Sequence, residues 1–88
     1  MSAPSEPELR RLLIDALQQV APEADLAHLD PAADLREELE IDSMDVLNLA
    51  IAIHERTGVE IPEQDYAELR SLADGVAYLS RRMGGAAP

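Results

Sequence analysis

Three separate runs of apolar residues at helical spacing leave this chain one architecture. Leu9, Leu12, Leu13, Ala16, Leu17 and Val20 recur at i, i+3, i+4, i+7, i+8 and i+11, one stripe of an amphipathic helix. Val46, Leu49, Ala50, Ile53 and Thr57 make a second face of this kind, and Leu72, Val76, Leu79 and Met83 a third. No run alternates cleanly enough for a half-buried strand, and no segment repeats. In 88 residues this predicts one all-α domain. The expected architecture is a four-helix bundle of three main helices and a short one, with a long first loop.

Local signals set the boundaries. Ser5 suits the N-cap of the first helix, with Glu6 and Glu8 near the positive end of its dipole, and Pro22 stops it. Residues 1–7 hold Pro4 and Pro7 and no apolar period, so they are expected to form a flexible leader. Residues 21–41 read as irregular, because Pro22 and Pro31 break helix and Asp25, Asp30 and Asp34 favour turns. Residues 35–39 allow a short helical turn within this stretch. Connections this long are uncommon in compact domains and are often functional.

The second helix is predicted from about Ser43 to Thr57, with Asp42 as N-cap, Asp45 in the first turn and Gly58 at the C′ position. Ile61-Pro62 forces an extended break before a short helix over 63–68. Ser71 and Asp74 form an Asp variant of the capping box for the last helix. The domain is read as 8–83, and residues 84–88 as a disordered tail.

Charge narrows the function classes. Eighteen acids face seven bases, all of them Arg, for a formal net charge of −11. That balance excludes the basic footprint that nucleic acid or an anionic membrane requires. It favours partners with basic docking surfaces, reached by electrostatic steering. The acids cluster, with six of them and one Arg between Asp34 and Asp45. There is no Cys, and the two His residues lack ligand spacing, so no metal site is expected. No apolar run is long enough to span a bilayer, and the first residues lack a secretory pattern. A cytoplasmic monomer is therefore expected.

The predicted second helix carries more apolar residues than one buried stripe needs. Met44, Leu47 and Ile51 fall at i, i+3 and i+7 on a different face, beside Ser43 and near Asp45, Asn48 and Glu55. An apolar stripe rimmed by polar and acidic residues suits transient docking, and Met adapts to several partners. The competing reading makes Leu47 and Ile51 core.

Ser43 opens this helix after the long loop. As a hydrolytic nucleophile it would need a neighbouring base. His54 lies eleven residues along the same helix, roughly 16 Å away at the helical rise. His28 sits in the loop, and there is no Gly-x-Ser-x-Gly turn. No catalytic residue is therefore assigned. Glu37, Glu38 and Glu40 lack the order of a calcium loop and read as a solvated charge run. An unmodified helical adaptor that docks through Met44, Leu47 and Ile51 is the alternative of a different class.

The segment Glu40-Ile41-Asp42-Ser43-Met44-Asp45 resembles the Asp-Ser-Leu attachment motif of acyl carrier proteins, with Met44 a near volume-conserving replacement for Leu. Leu35-Arg-Glu-Glu-Leu39 resembles the family's approach to that motif. Val59-Glu-Ile-Pro-Glu63 resembles its Ile-Pro segment, and residues 72–79 its last helix; the likeness spans roughly 8–83. The resemblance implies an acyl-carrier-like bundle and a carrier rather than an enzyme. It implies that Ser43, flanked by Asp42 and Met44, receives a covalent 4'-phosphopantetheine from coenzyme A. The thiol of that arm holds acyl groups as thioesters in fatty-acid, polyketide or other acyl transfer.

The implied partners are a phosphopantetheinyl transferase and acyl-transferring or acyl-activating enzymes. Asn48, His54 and Arg56 stand where family members often carry acids, which points to a dedicated carrier with its own partners. An aminoacyl, D-alanyl or peptidyl carrier is the alternative within the family. Phe is absent, so the core is expected to be aliphatic.

Overall fold

The computed structural model describes residues 4–84. Its elements run in the order α1 (Glu6–Val20), α2 (Leu35–Glu38), α3 (Ser43–Thr57), a 3-10 helix (Glu63–Leu69) and α4 (Leu72–Arg82). The three long helices expected from periodicity are present, and no strand occurs among the described residues. The short helix after Pro62 takes the 3-10 form, and one turn of α-helix stands at α2.

α1 begins at Glu6, inside the stretch expected as leader. Ser5 and Glu8 explain why: the Glu8 N–H donates to Ser5 Oγ and the Ser5 N–H to Glu8 Oε1, a complete capping box. Pro7 costs nothing in the first turn, where its missing N–H would have had no partner. Residues 1–3 of the expected leader and residues 85–88 of the expected tail lie outside the described residues. At α4 the box is half formed: Ser71 Oγ accepts from the Asp74 N–H at 3.1 Å, without the return bond.

α1 packs against both α3 and α4, and the 3-10 helix lies against both α3 and α4. Leu9, Leu13 and Leu17 of α1, Leu49 and Ile53 of α3 and Leu79 of α4 are the largest fully buried side chains. Complete burial of one such side chain stabilises by about 1.5–3 kcal/mol. Gly75 lets α4 sit close on α1, since a Cβ there would come within 3.0 Å of Leu13 Cδ1. The core is aliphatic with one exception: Tyr78, only 4% exposed, supplies a buried aromatic ring. Val46 and Thr57, expected on the core face, are half-buried, and Ala52 is buried instead.

The long first loop is pinned rather than loose. Leu26, Leu35 and Ile41 are buried. Its backbone is tied to the start of the last helix by two bonds, Leu35 N–H to Arg70 C=O at 2.8 Å and Ala73 N–H to Pro31 C=O at 2.9 Å. These bonds satisfy backbone groups that would otherwise be lost to the interior, and they carry the chain across the bundle to the start of α3.

Candidate functional site

The start of α3 is built by two carboxylates around one serine. The Asp45 N–H donates to Asp42 Oδ1 at 3.0 Å, and the Asp42 N–H donates to Asp45 Oδ2 at 3.2 Å. This reciprocal box occupies backbone donors that the helix itself leaves free. Ser43 is the first helical residue, and its side chain is exposed. Just before the box, Glu40 is held at φ 52°, in the left-handed region that a side chain resists. That residue turns the chain from α2 into α3.

Ser43 opens on a groove of about 410 Å³ between α2, α3 and the 3-10 helix. Its apolar floor is Val46, Tyr66 and Leu69, and Asp34, Arg36 and Arg70 supply its polar wall. Asp34 is spent on α2, where its Oδ1 accepts from the Arg36 N–H at 2.9 Å. No histidine lines this groove: His28 Nδ1 is paired with Asp25 Oδ2 at 2.8 Å, and His54 lines a different depression with Ile61 and Tyr66. The His28 hydrogen bond holds the Asp25 carboxyl below its ordinary range. Ser43 therefore has the access of a modified hydroxyl and lacks the base of a hydrolytic one.

The second apolar face of α3 is exposed. Met44 is 62% exposed and Ile51 47%, the two exposed large hydrophobic residues among those described. Leu47 is half-buried. Asp45, Asn48, Ile51 and Glu55 line one shallow depression beside Gln19 and Val20 of α1. The structure thus brings the residues expected for docking onto one side of α3, with Ser43 at its start. The basic end of the helix is tied down: the Arg56 guanidinium bonds Gln19 Oε1 and the Asp15 carbonyl.

Sequence reading missed Arg36, Arg70 and Tyr66 as groove residues. Arg36 was visible only as one cation in an acidic run, and nothing local tied residue 70 to residue 36.

The comparisons with known proteins agree with this geometry. The family model of the phosphopantetheine attachment site matches residues 8–79. An acyl carrier protein of Akkermansia muciniphila is 33% identical over 90% of this chain and 92% of its own. A meromycolate extension acyl carrier protein of Mycolicibacterium aurum is 29% identical over 90% of this chain and 80% of its own. An acyl carrier protein of Helicobacter pylori is 34% identical over 76% of this chain and 90% of its own. A helical bundle presenting an exposed serine at a capped helix start, matched along most of its length by this family, belongs to the phosphopantetheine-bearing acyl carrier proteins, which are carriers and not enzymes.

Proposed function

We propose that Ser43 is the residue that takes the phosphopantetheine arm, and that 8–83 is the carrier domain. One observation carries this reading: the Ser43 hydroxyl is exposed on the first turn of α3, behind a helix start already closed by Asp42 and Asp45. The capping box fixes where the hydroxyl stands without covering it. Asp42 and Met44 flank it, the first as a cap and the second as an exposed apolar contact for a modifying enzyme. The arm supplies the thiol that this cysteine-free chain lacks.

The partners of this reading are a phosphopantetheinyl transferase and acyl-transferring or acyl-activating enzymes with basic docking surfaces. Met44, Leu47 and Ile51 supply apolar burial, and Asp45, Asn48 and Glu55 give the rim that steers and orients. The cargo is an acyl group of fatty-acid or a more specialised acyl metabolism, as the names of the relatives support. No helix among the described residues is long and apolar enough to cross a membrane; the carrier of this reading meets its enzymes by diffusion, in the cytoplasm.

The test is direct. Incubation with coenzyme A and a phosphopantetheinyl transferase should add one arm by intact mass, with Ser43→Ala unmodified. Modification that persists in Ser43→Ala, or a wild-type chain left unmodified by several transferases, overturns the assignment.

A further inference from the structure

The groove beside Ser43 holds two cations that the protein itself does not use. Among the described residues, Arg81 pairs with Glu68 and Arg82 with Asp65, while Arg56 is bonded to α1. Among the described residues Arg36 and Arg70, like Arg10 and Arg11 on α1, make no ion pair and no side-chain hydrogen bond, in a chain with eighteen acids; of these four only Arg36 and Arg70 line the groove. They are brought together from α2 and from the end of the 3-10 helix. The Leu35 N–H donates to the Arg70 carbonyl at 2.8 Å, which sets the backbones of residues 36 and 70 side by side. Both arginines then line the same groove as Ser43.

The surrounding charge makes this placement consequential. Ser43 is flanked by Asp42 and Asp45, whose carboxylates occupy each other's N–H groups. An anion attached to the Ser43 oxygen meets like charge there, and of the helix start only the Ser43 and Met44 N–H groups are left to face it. Asp34, the one acid in the groove wall, is turned onto the N–H groups of Arg36 and Glu37. Among the residues that line the groove, opposite charge comes from Arg36 and Arg70, beside the Val46, Tyr66 and Leu69 floor. Arginine's planar fork suits phosphate oxygens.

We infer that Arg36 and Arg70 form a clamp for the phosphodiester of the arm, laying its first segment into the groove between α2, α3 and the 3-10 helix. The inference rests on Ser43 being the attachment residue. It assigns to this chain an anchored arm, released when a partner's acids compete for the two arginines or its phosphate-binding groups compete for the phosphodiester.

The experiment compares apo and cargo-free holo protein by NMR, following the arginine side-chain Nε–H signals. Cargo-free protein is used because its arm carries no anion other than the phosphodiester. The Arg36 and Arg70 signals should shift on conversion, while those of Arg10 and Arg11 on α1 should hold still. In Arg36→Gln/Arg70→Gln the backbone shifts that conversion causes at Tyr66 and Leu69 should be lost. The control Arg10→Gln/Arg11→Gln, which removes the same charge elsewhere, should keep them. An arm that attaches at Ser43 and leaves the Arg36 and Arg70 signals unmoved overturns the clamp and spares the carrier assignment. Signals that move only after a carboxylate-bearing cargo is loaded also overturn it. Failure of Ser43 to accept any arm removes both readings.

Discussion

The Tyr78 hydroxyl donates to Asp65 Oδ2 at 2.7 Å, joining α4 to the 3-10 helix that walls the groove. Arg82 completes the junction, with one guanidinium nitrogen on the Tyr78 oxygen and the other on the Glu60 carbonyl at 2.8 Å. Its charge also lies over the Tyr78 ring, 5.5 Å from the centroid. Removal from water, with a smaller contribution from Asp65, raises the Tyr78 pKa above its ordinary 10.0, against the opposing pull of Arg82.

A phenol whose pKa is higher in the folded state binds its proton more tightly there than in the unfolded chain. Its contribution is fully present below the ordinary tyrosine value and is lost as pH rises through the folded one. The chain has no Lys and no Cys whose titration would overlap that of Tyr78. Urea melts should therefore show stability falling from about pH 10 upward. Tyr78→Phe should flatten that fall. A flat profile in the wild-type protein would remove the junction from the stability account.

Glu40 holds φ 52° with an exposed side chain. A side chain in the left-handed region costs about 1–2 kcal/mol, while glycine restores about 0.4–1 kcal/mol of freedom to the unfolded chain. Glu40→Gly should raise the unfolding free energy by about 0.5–1 kcal/mol. Glu40→Ala, which keeps a Cβ, should gain little. Equal stability of the Gly and Ala variants in urea melts would show that the turn before α3 is unstrained.

What could be read from the sequence was what repeats along one helix. The stripes of α1, α3 and α4, the caps at Ser5, Asp42 and Ser71, and the stop at Gly58 are all set by neighbours within four residues. That Met44, Leu47 and Ile51 form a second stripe was visible for the same reason, whereas the exposure of Ile51 was not, because a core position for Leu47 and Ile51 fitted the same spacing. Long-range placement was not legible. Tyr78 falls off the Leu72, Val76, Leu79 period, and only the 3-10 helix packed against α4 explains its burial. The pairing of Leu35 with Arg70 depends on how a loop with no period crosses the bundle, so the two groove arginines could not be brought together from spacing alone.

Electrostatic steering should be visible in the modification rate. Asp42, Glu55 and Glu40 are exposed and Asp45 half-exposed around the start and outer face of α3. Exposed charges are screened over about 10 Å at 0.1 M salt. Raising salt should slow association with a basic transferase surface, seen as a fall in kcat/KM at low carrier concentration. Rates that do not change with salt would assign recognition to the apolar contacts.

Met44 and Ile53 should separate docking from folding. Met44 is 62% exposed and Ile53 is 0% exposed, although both belong to α3. Met44→Glu removes no core contact, so its effect on stability should stay within about 0.5 kcal/mol. It places a charge where a partner's apolar surface must close, which adds a desolvation cost to docking. The transferase kcat/KM should fall while the melting temperature holds. Ile53→Ala leaves a cavity in the core that Ile53 shares with Leu9, Leu13, Leu17, Leu49 and Leu79, the other largest fully buried side chains, and should cost about 2–5 kcal/mol. Its folded fraction should still be modified at the wild-type rate, because no docking residue has changed. Thermal melts and transferase kinetics on the two variants decide the matter. A Met44→Glu protein that unfolds, while its folded fraction is modified normally, would place Met44 in the core and move the docking surface elsewhere.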